Sequence, residues 1–231
     1  MEVNTLFVIV VALLAISAVH GYRKGFLRMA ISLFTIILVI AIVTVISPYV
    51  SNYLTNHTKV YDQLKEKVVE VFADKNEVYD NTIEENQIKT IETYELPDII
   101  KACLIENNTT EVYHSMMVSL FEDYVAGYIA RMIINAITFI GLFLMLAILM
   151  AFVIFSADII AKIPIIKGFN KLLGMFAGLF SGLLIVWVGF FVAIIFFGNT
   201  VGTKMLTYIN DSVFLTLLFN TNLLVKFISS M

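Results

Sequence analysis

Apolar and polar positions alternate along the chain in long blocks. Four blocks are almost purely apolar: 3–19, 29–47, 129–155 and 172–197. About 20 residues of helix cross a ~30 Å hydrocarbon layer, so the first block lies near the short limit and the others meet it. The second is rich in Ile and Val, poor helix formers in water. In lipid the backbone has no other donor or acceptor, so a helix is still forced. Pro48 is expected to end it. Two short polar turns join these blocks in pairs. Turn 20–28 carries Arg23, Lys24 and Arg28 and no acid, and turn 156–171 carries Lys162, Lys167 and Lys171 with one aspartate, Asp158. Pro164 should break any helix in the second turn.

Between the pairs, residues 48–128 change character. From Pro48 to Gly127 there are six lysines against fifteen acids. Val60, Leu64, Val68, Val71 and Phe72 still recur with helical period and predict one apolar stripe. Residues 76–86 are polar and read as loop. Leu96-Pro97-Asp98 reads as a helix start, with proline and an acid in the first turn. That helix should stop by Asn107-Asn108, and Thr109 or Thr110 can cap the next. Val112, Met116 and Leu120 step by four into the third apolar block with no proline or glycine cluster between. The expectation is one helix from Glu111 to Ser156, on the order of 70 Å long. Arg131 would then reach out to Glu122, Asp123 or lipid headgroups. In the tail, 198–231, Leu206, Ile209, Val213 and Leu217 predict a short interfacial helix.

Composition fixes the class. Of 231 residues 60% are hydrophobic and 14% charged. Too little polar surface remains to cover a soluble core of that size. The chain reads as an all-α integral membrane protein with four transmembrane helices. It has an extracytoplasmic helical insert between spans 2 and 3 and an interfacial C-terminal helix. The net charge of -3 averages unlike regions and decides nothing. Both short turns are basic, which places them on the cytoplasmic side and puts both termini and the acidic insert outside. The N-terminal block lacks a basic flank ahead of it, so it reads as a retained helix rather than a cleaved leader. Cys103 is the single cysteine, which excludes an intramolecular disulfide and a cysteine metal cluster.

Gly174, Gly178 and Gly182 lie four apart on one helix face, where missing side chains admit another backbone. That face has two readings. It packs against another span of the same chain, or it packs between subunits of a homo-oligomeric channel or transporter. The hydroxyls and amides of the spans (Ser17, Ser32, Thr35, Thr44, Asn135, Thr138, Ser181) have no His, Asp or Glu beside them in sequence, and isolated hydroxyls there usually bond to backbone. His20, His57 and His114 fall on three separate segments. No cofactor, metal ligand set, nucleotide loop or nucleic-acid surface is expected, and membrane lipids are the expected contact of the basic turns. The exposed part of the insert, residues 58–110, is the expected surface for a protein partner. Lys24 to Arg28 also matches Lys167 to Lys171 in type and spacing. Basic-glycine-aromatic turns recurring at membrane edges account for this, as would a parallel repeat of two hairpins.

Three places carry a family resemblance: Gly21-Tyr22-Arg23-Lys24-Gly25-Phe26, Leu96-Pro97 with Asn107-Asn108, and Ile163-Pro164-Ile165 through Asn170-Lys171-Leu172-Leu173-Gly174 into Gly178 and Gly182. By them the chain resembles the colicin V production protein (CvpA) family of bacterial inner-membrane proteins. The resemblance implies a four-span protein of the bacterial cytoplasmic membrane, linked to colicin V (bacteriocin, toxin) production and to envelope homeostasis. It implies no catalytic mechanism, so a non-enzymatic scaffold or accessory factor is the expectation. The family positions so carried over are Gly21, Tyr22, Gly25, Pro97, Pro164 and Asn170.

Overall fold

The structure is a computed structural model that describes residues 4–73, 84–94, 96–118, 120–156 and 169–229. Lys162, Pro164, Lys167 and Asp158 lie outside the described residues, as does most of the expected 76–86 loop. Among the described residues all regular structure is helical. In chain order the helices are α1 (Thr5–Lys24), α2 (Phe26–His57), α3 (Val60–Ala73), α4 (Glu84–Thr93), α5 (Asp98–Glu106) and α6 (Thr110–Met116). They continue with α7 (Phe121–Ser156), α8 (Phe169–Gly189), α9 (Phe191–Ile195), α10 (Thr200–Asn210), α11 (Val213–Asn220) and α12 (Leu223–Ser229). Among the described residues, four stretches are long and apolar enough to cross a membrane: Thr5–Lys24, Phe26–His57, Phe121–Val153 and Asn170–Ile195.

Two compact units emerge, residues 1–47 with 138–189, and residues 48–137 with 190–231. The second unit takes in both the expected insert, 48–128, and the expected tail, 198–231.

In the first unit α1 packs along α8. Asn4 starts α1, its Oδ1 accepting the Phe7 N–H at 2.9 Å. The expected nine-residue turn between the first two spans contracts to one residue. Helix α1 runs on through Arg23 and Lys24, and α2 starts at Phe26. The apolar count missed these turns of helix because they carry polar side chains, while their backbone groups still make the helical hydrogen bonds. Pro48 does not end α2 either, but lies inside it. Proline removes one hydrogen bond and bends a helix, yet the helix survives where later residues are held by other contacts. Ser51, 3% exposed, donates to Asn135 Oδ1 one turn beyond the proline.

In the second unit α3 buries Val68 and Phe72 while Val60 stays exposed. Phe72 packs on Tyr94 and Phe197, with ring centres 4.3 and 5.8 Å away. Pro97 and Asn107 flank helix α5 as its cap positions, and Thr109 Oγ1 caps α6 by accepting from Val112 N–H, as the residue types predict. The single helix expected over 111–156 is two. Met117 takes a left-handed backbone at φ 55, and Val118 N–H returns to Tyr113 O at 3.1 Å to close α6. A left-handed non-glycine residue costs about 1–2 kcal/mol. Burial of Met116 and the stacking of Tyr113 on Tyr124 at 4.9 Å offset it. In one continuous helix Tyr113 and Tyr124 would stand about 16 Å apart, so the break is what lets their rings stack.

The tail also departs from its expected single stripe. Leu206 and Ile209 are buried, but Val213 is 89% and Leu217 60% exposed. The chain breaks at Asp211, and Ser212 caps a new helix by accepting from Leu215 N–H. The break resets the helical phase, so the four positions no longer share a face. The inward face of α11 is instead Leu215 and Phe219.

Candidate functional site

Of the residues singled out for the family resemblance, Gly21, Tyr22, Gly25, Asn170, Gly174 and Gly178 lie in the first unit, where α1 packs along α8. A Cβ added at Gly21 would lie 2.9 Å from Gly178 Cα. One at Gly174 would lie 2.8 Å from Gly25 C, and one at Gly178 would lie 3.0 Å from Gly21 Cα. All these neighbours are backbone atoms, which cannot step aside. The two helices touch main chain to main chain, and only glycine permits that distance. At Gly182 the neighbour is the Ser17 side chain, 2.8 Å from such a Cβ. The glycine face is therefore filled by α1 of the same chain. Gly174, Gly178 and Gly182 all face α1 within this chain. Sequence reading saw the α8 half of this seam. It did not see that Gly21 is its partner, although Gly21 is four residues from both Ser17 and Gly25.

At one end of the seam, Gly25 and Asn170 form a hinge. Gly25 has φ 77 and ψ 163, a backbone region open to glycine. Its N–H bonds to Gly21 O at 2.9 Å, closing α1, and its carbonyl accepts from Met29 N–H at 3.1 Å, opening α2. Asn170 Oδ1 accepts the Phe26 N–H at 2.9 Å. A residue in the first turn of α8 thus caps the first turn of α2, 144 positions away in sequence. A Cβ at Gly25 would meet Asn170 Nδ2 at 2.7 Å, so the cap and the glycine require each other.

The basic residues gather around this hinge. Arg23 and Lys24 occupy the last turn of α1, where the helix dipole favours positive charge. Lys171 Nζ lies 5.7 Å from the centre of the Tyr22 ring, within cation–π range. Arg28 is half-buried, and its Nε is enclosed without a hydrogen-bond partner. Lys162 and Lys167 lie outside the described residues, as does the Lys167-Gly168 half of the proposed repeat. The span hydroxyls Thr35 and Ser181 donate to the Ile31 and Ala177 carbonyls, both at 2.9 Å.

The second unit is tied differently. Asn135 Nδ2 donates to Ile228 O at 2.7 Å, while its Oδ1 accepts from Ser51. Asn107 Nδ2 donates to Cys103 O at 2.8 Å and to Tyr128 Oη at 3.2 Å. Tyr128 in turn donates to the Ser229 carbonyl, and Tyr124 to Leu104 O at 2.6 Å. Asn220 binds the start of α5 twice, donating to Asp98 Oδ2 at 3.1 Å and accepting from Ile99 N–H at 3.3 Å. Asn222, wholly buried, caps α12 through Leu224 and Val225. The family position Pro97 stands at this junction. Sequence reading missed Asn135, Asn220 and Asn222 as ties. The available signal was an amide inside or beside an apolar run, where an unpaired amide is costly.

Asp123, one of the partners expected for Arg131, is engaged elsewhere. Asp123 is paired with Lys65 at 2.6 Å, and the Arg131 guanidinium lies over the Tyr61 ring at 5.8 Å. Burial pushes Tyr94 up to about 12, with the Glu122 charge adding to it, and pushes Tyr113 up to about 12. Burial also raises the Cys103 thiol above its ordinary value. Among the described residues no three His, Cys, Asp or Glu side chains converge.

Residues 112–222 match the family model described as colicin V production protein. The match takes in Asn170, Pro164, Gly174, Gly178 and Gly182, while Gly21, Tyr22, Gly25 and Pro97 lie outside it. No curated protein and no solved structure matches the chain.

Proposed function

We propose that the chain, whose residues 112–222 match the family model described as colicin V production protein, is a non-enzymatic scaffold or accessory factor for bacteriocin production and envelope homeostasis. It works in the bacterial inner membrane. Turn 20–28 and turn 156–171 face the cytoplasm, and the termini and the acidic insert lie outside.

The observation that supports the reading is where the polar groups of the two units go. Asn170, Asn135, Asn107, Asn220 and Asn222 all spend their amides on fixing helix ends or closing helices onto one another. Such an arrangement holds a shape. The insert then offers its charge outward, with Asp62, Glu66, Glu70, Glu85 and Glu92 all exposed. A basic extracytoplasmic protein surface is the complement such a face would recruit.

Orientation and partner are tested together. In a Cys103→Ala background, single cysteines replace Glu70 and Arg23. A membrane-impermeant maleimide should label position 70 on intact spheroplasts and position 23 only after permeabilisation. A photocrosslinker at position 70 should then capture a protein that a crosslinker at position 23 does not. Labelling of both positions from the same side would end this reading.

A further inference from the structure

The first unit holds a groove that the seam does not use. Its volume is about 310 Å³, and residues of α2 and α7 line it. Two rails of side chains form its walls, each stepping by four. Ile31, Thr35 and Val39 lie along α2, and Phe143, Ala147 and Ala151 along α7. Four-residue steps keep each set on one helix face, and eight residues of helix span about 12 Å. Small side chains at 147 and 151 leave room that longer ones would fill.

Among the described residues, charge in the lining is confined to Lys24, at the end of α1, and Arg28, with the Ser32 hydroxyl beside them and no acid. The Arg28 Nε is enclosed and has no hydrogen-bond partner. A buried guanidinium donor left unbonded is costly, so an acceptor from outside the chain is the expected remedy. Thr35 cannot serve as an extra donor, because its hydroxyl already donates to Ile31 O.

We propose that this groove is a binding site for one anionic membrane phospholipid. Its phosphate is held by Arg28, Lys24 and Ser32. The upper part of an acyl chain lies between the two rails. Charge complementarity selects the headgroup, since two cations and, among the described residues, no carboxylate face it. Arginine suits the role because its fork offers several donors to one phosphate. The site rests on the membrane reading above but not on any role in toxin production.

The test uses the full chain in lipid nanodiscs of phosphatidylcholine. The discs carry a trace of either photoactivatable phosphatidylglycerol or photoactivatable phosphatidylcholine with the same acyl chain. Incorporation into discs reports the membrane reading by itself. Adducts mapped by mass spectrometry then report the groove. The glycerol probe should mark the 143–151 segment about fivefold more than the choline probe, equivalent to the ~1 kcal/mol that one cation contributes near an anionic lipid. Arg28→Gln should bring the two probes level. Lys24→Gln, at an exposed position that leaves the fold intact, should halve the preference. Ala147→Trp should remove groove adducts from both probes. Excess inorganic phosphate should leave them unchanged. Equal labelling by both headgroups in the unaltered chain would overturn the site, as would a preference that survives Arg28→Gln or adducts displaced by free phosphate.

Discussion

In the unit of residues 1–47 and 138–189, α1 and α8 meet where side chains are missing. In the unit of residues 48–137 and 190–231, helices are tied by side chains that are present. Gly21, Gly174 and Gly178 give the first contact its closeness, and Asn135, Asn107 and Tyr128 give the second its hydrogen bonds. The difference follows from what each unit has available. Two apolar helices in lipid gain little from burying more apolar surface, so close backbone packing decides their pairing. Short helices with charged exteriors have many ends to satisfy, and amides and phenols satisfy them. The lesson is that one chain uses two kinds of specificity, and that substitutions should fail differently in each.

The largest effect is expected at the seam. Gly178→Leu places a branched side chain against Gly21 backbone, an overpacking that costs about 3 kcal/mol or more because neither main chain can yield. The variant should lose its single elution peak in detergent. Phe180→Leu, two positions on but 47% exposed, should keep that peak. Equal behaviour of the two would show that the seam does not hold the unit together.

Next comes the amide tie in the second unit. Asn135→Leu leaves the Ile228 carbonyl and the Ser51 hydroxyl without a partner, a loss of about 2 kcal/mol. Protease cleavage should rise in 198–229 while α1 and α8 stay protected. Cleavage rising equally in both units would erase the distinction drawn here. A smaller loss, about 1 kcal/mol, is expected for Asn170→Ala, which removes the cap on Phe26. Hydrogen exchange should quicken at residues 26–29 and not in the second unit.

The smallest effects are electrostatic. Tyr94 and Tyr113 are both pushed up to about 12 by burial. A group raised in the fold stabilises it fully below its unfolded value near 10, and that contribution disappears as pH climbs through about 12. Phenolate absorbance should therefore lag in the folded chain between pH 10 and 12, and Tyr94→Phe should shrink the lag. Burial raises the Cys103 thiol in the same sense, so its maleimide reaction should be slow until the second unit is unfolded. The part-exposed Lys65–Asp123 pair should matter least. Asp123→Asn should cost about 0.5 kcal/mol and less in high salt.

Local chemistry made much of this legible in advance. Four apolar blocks gave four long helices. Pro97, Asn107 and Thr109 marked helix ends where the backbone demanded them. Gly174, Gly178 and Gly182 were visible as a packing face because glycine spacing by four needs no knowledge of the partner. Errors came where a distant residue decided. Pro48 looked like a stop until Ser51 found Asn135. Met117 looked like mid-helix until Tyr113 found Tyr124. Arg131 looked destined for Asp123 until Lys65 took it.

Sequence by itself determined the class of the molecule, the positions of its long helices and the face on which α8 would pack, because hydropathy and helical period act within a few turns of chain. Tertiary structure alone decided that Gly21 is the partner of Gly174 and Gly178, that Asn170 caps α2, and that insert and tail are one unit. Those are pairings between residues far apart in sequence, and no local propensity encodes which of many candidates will meet.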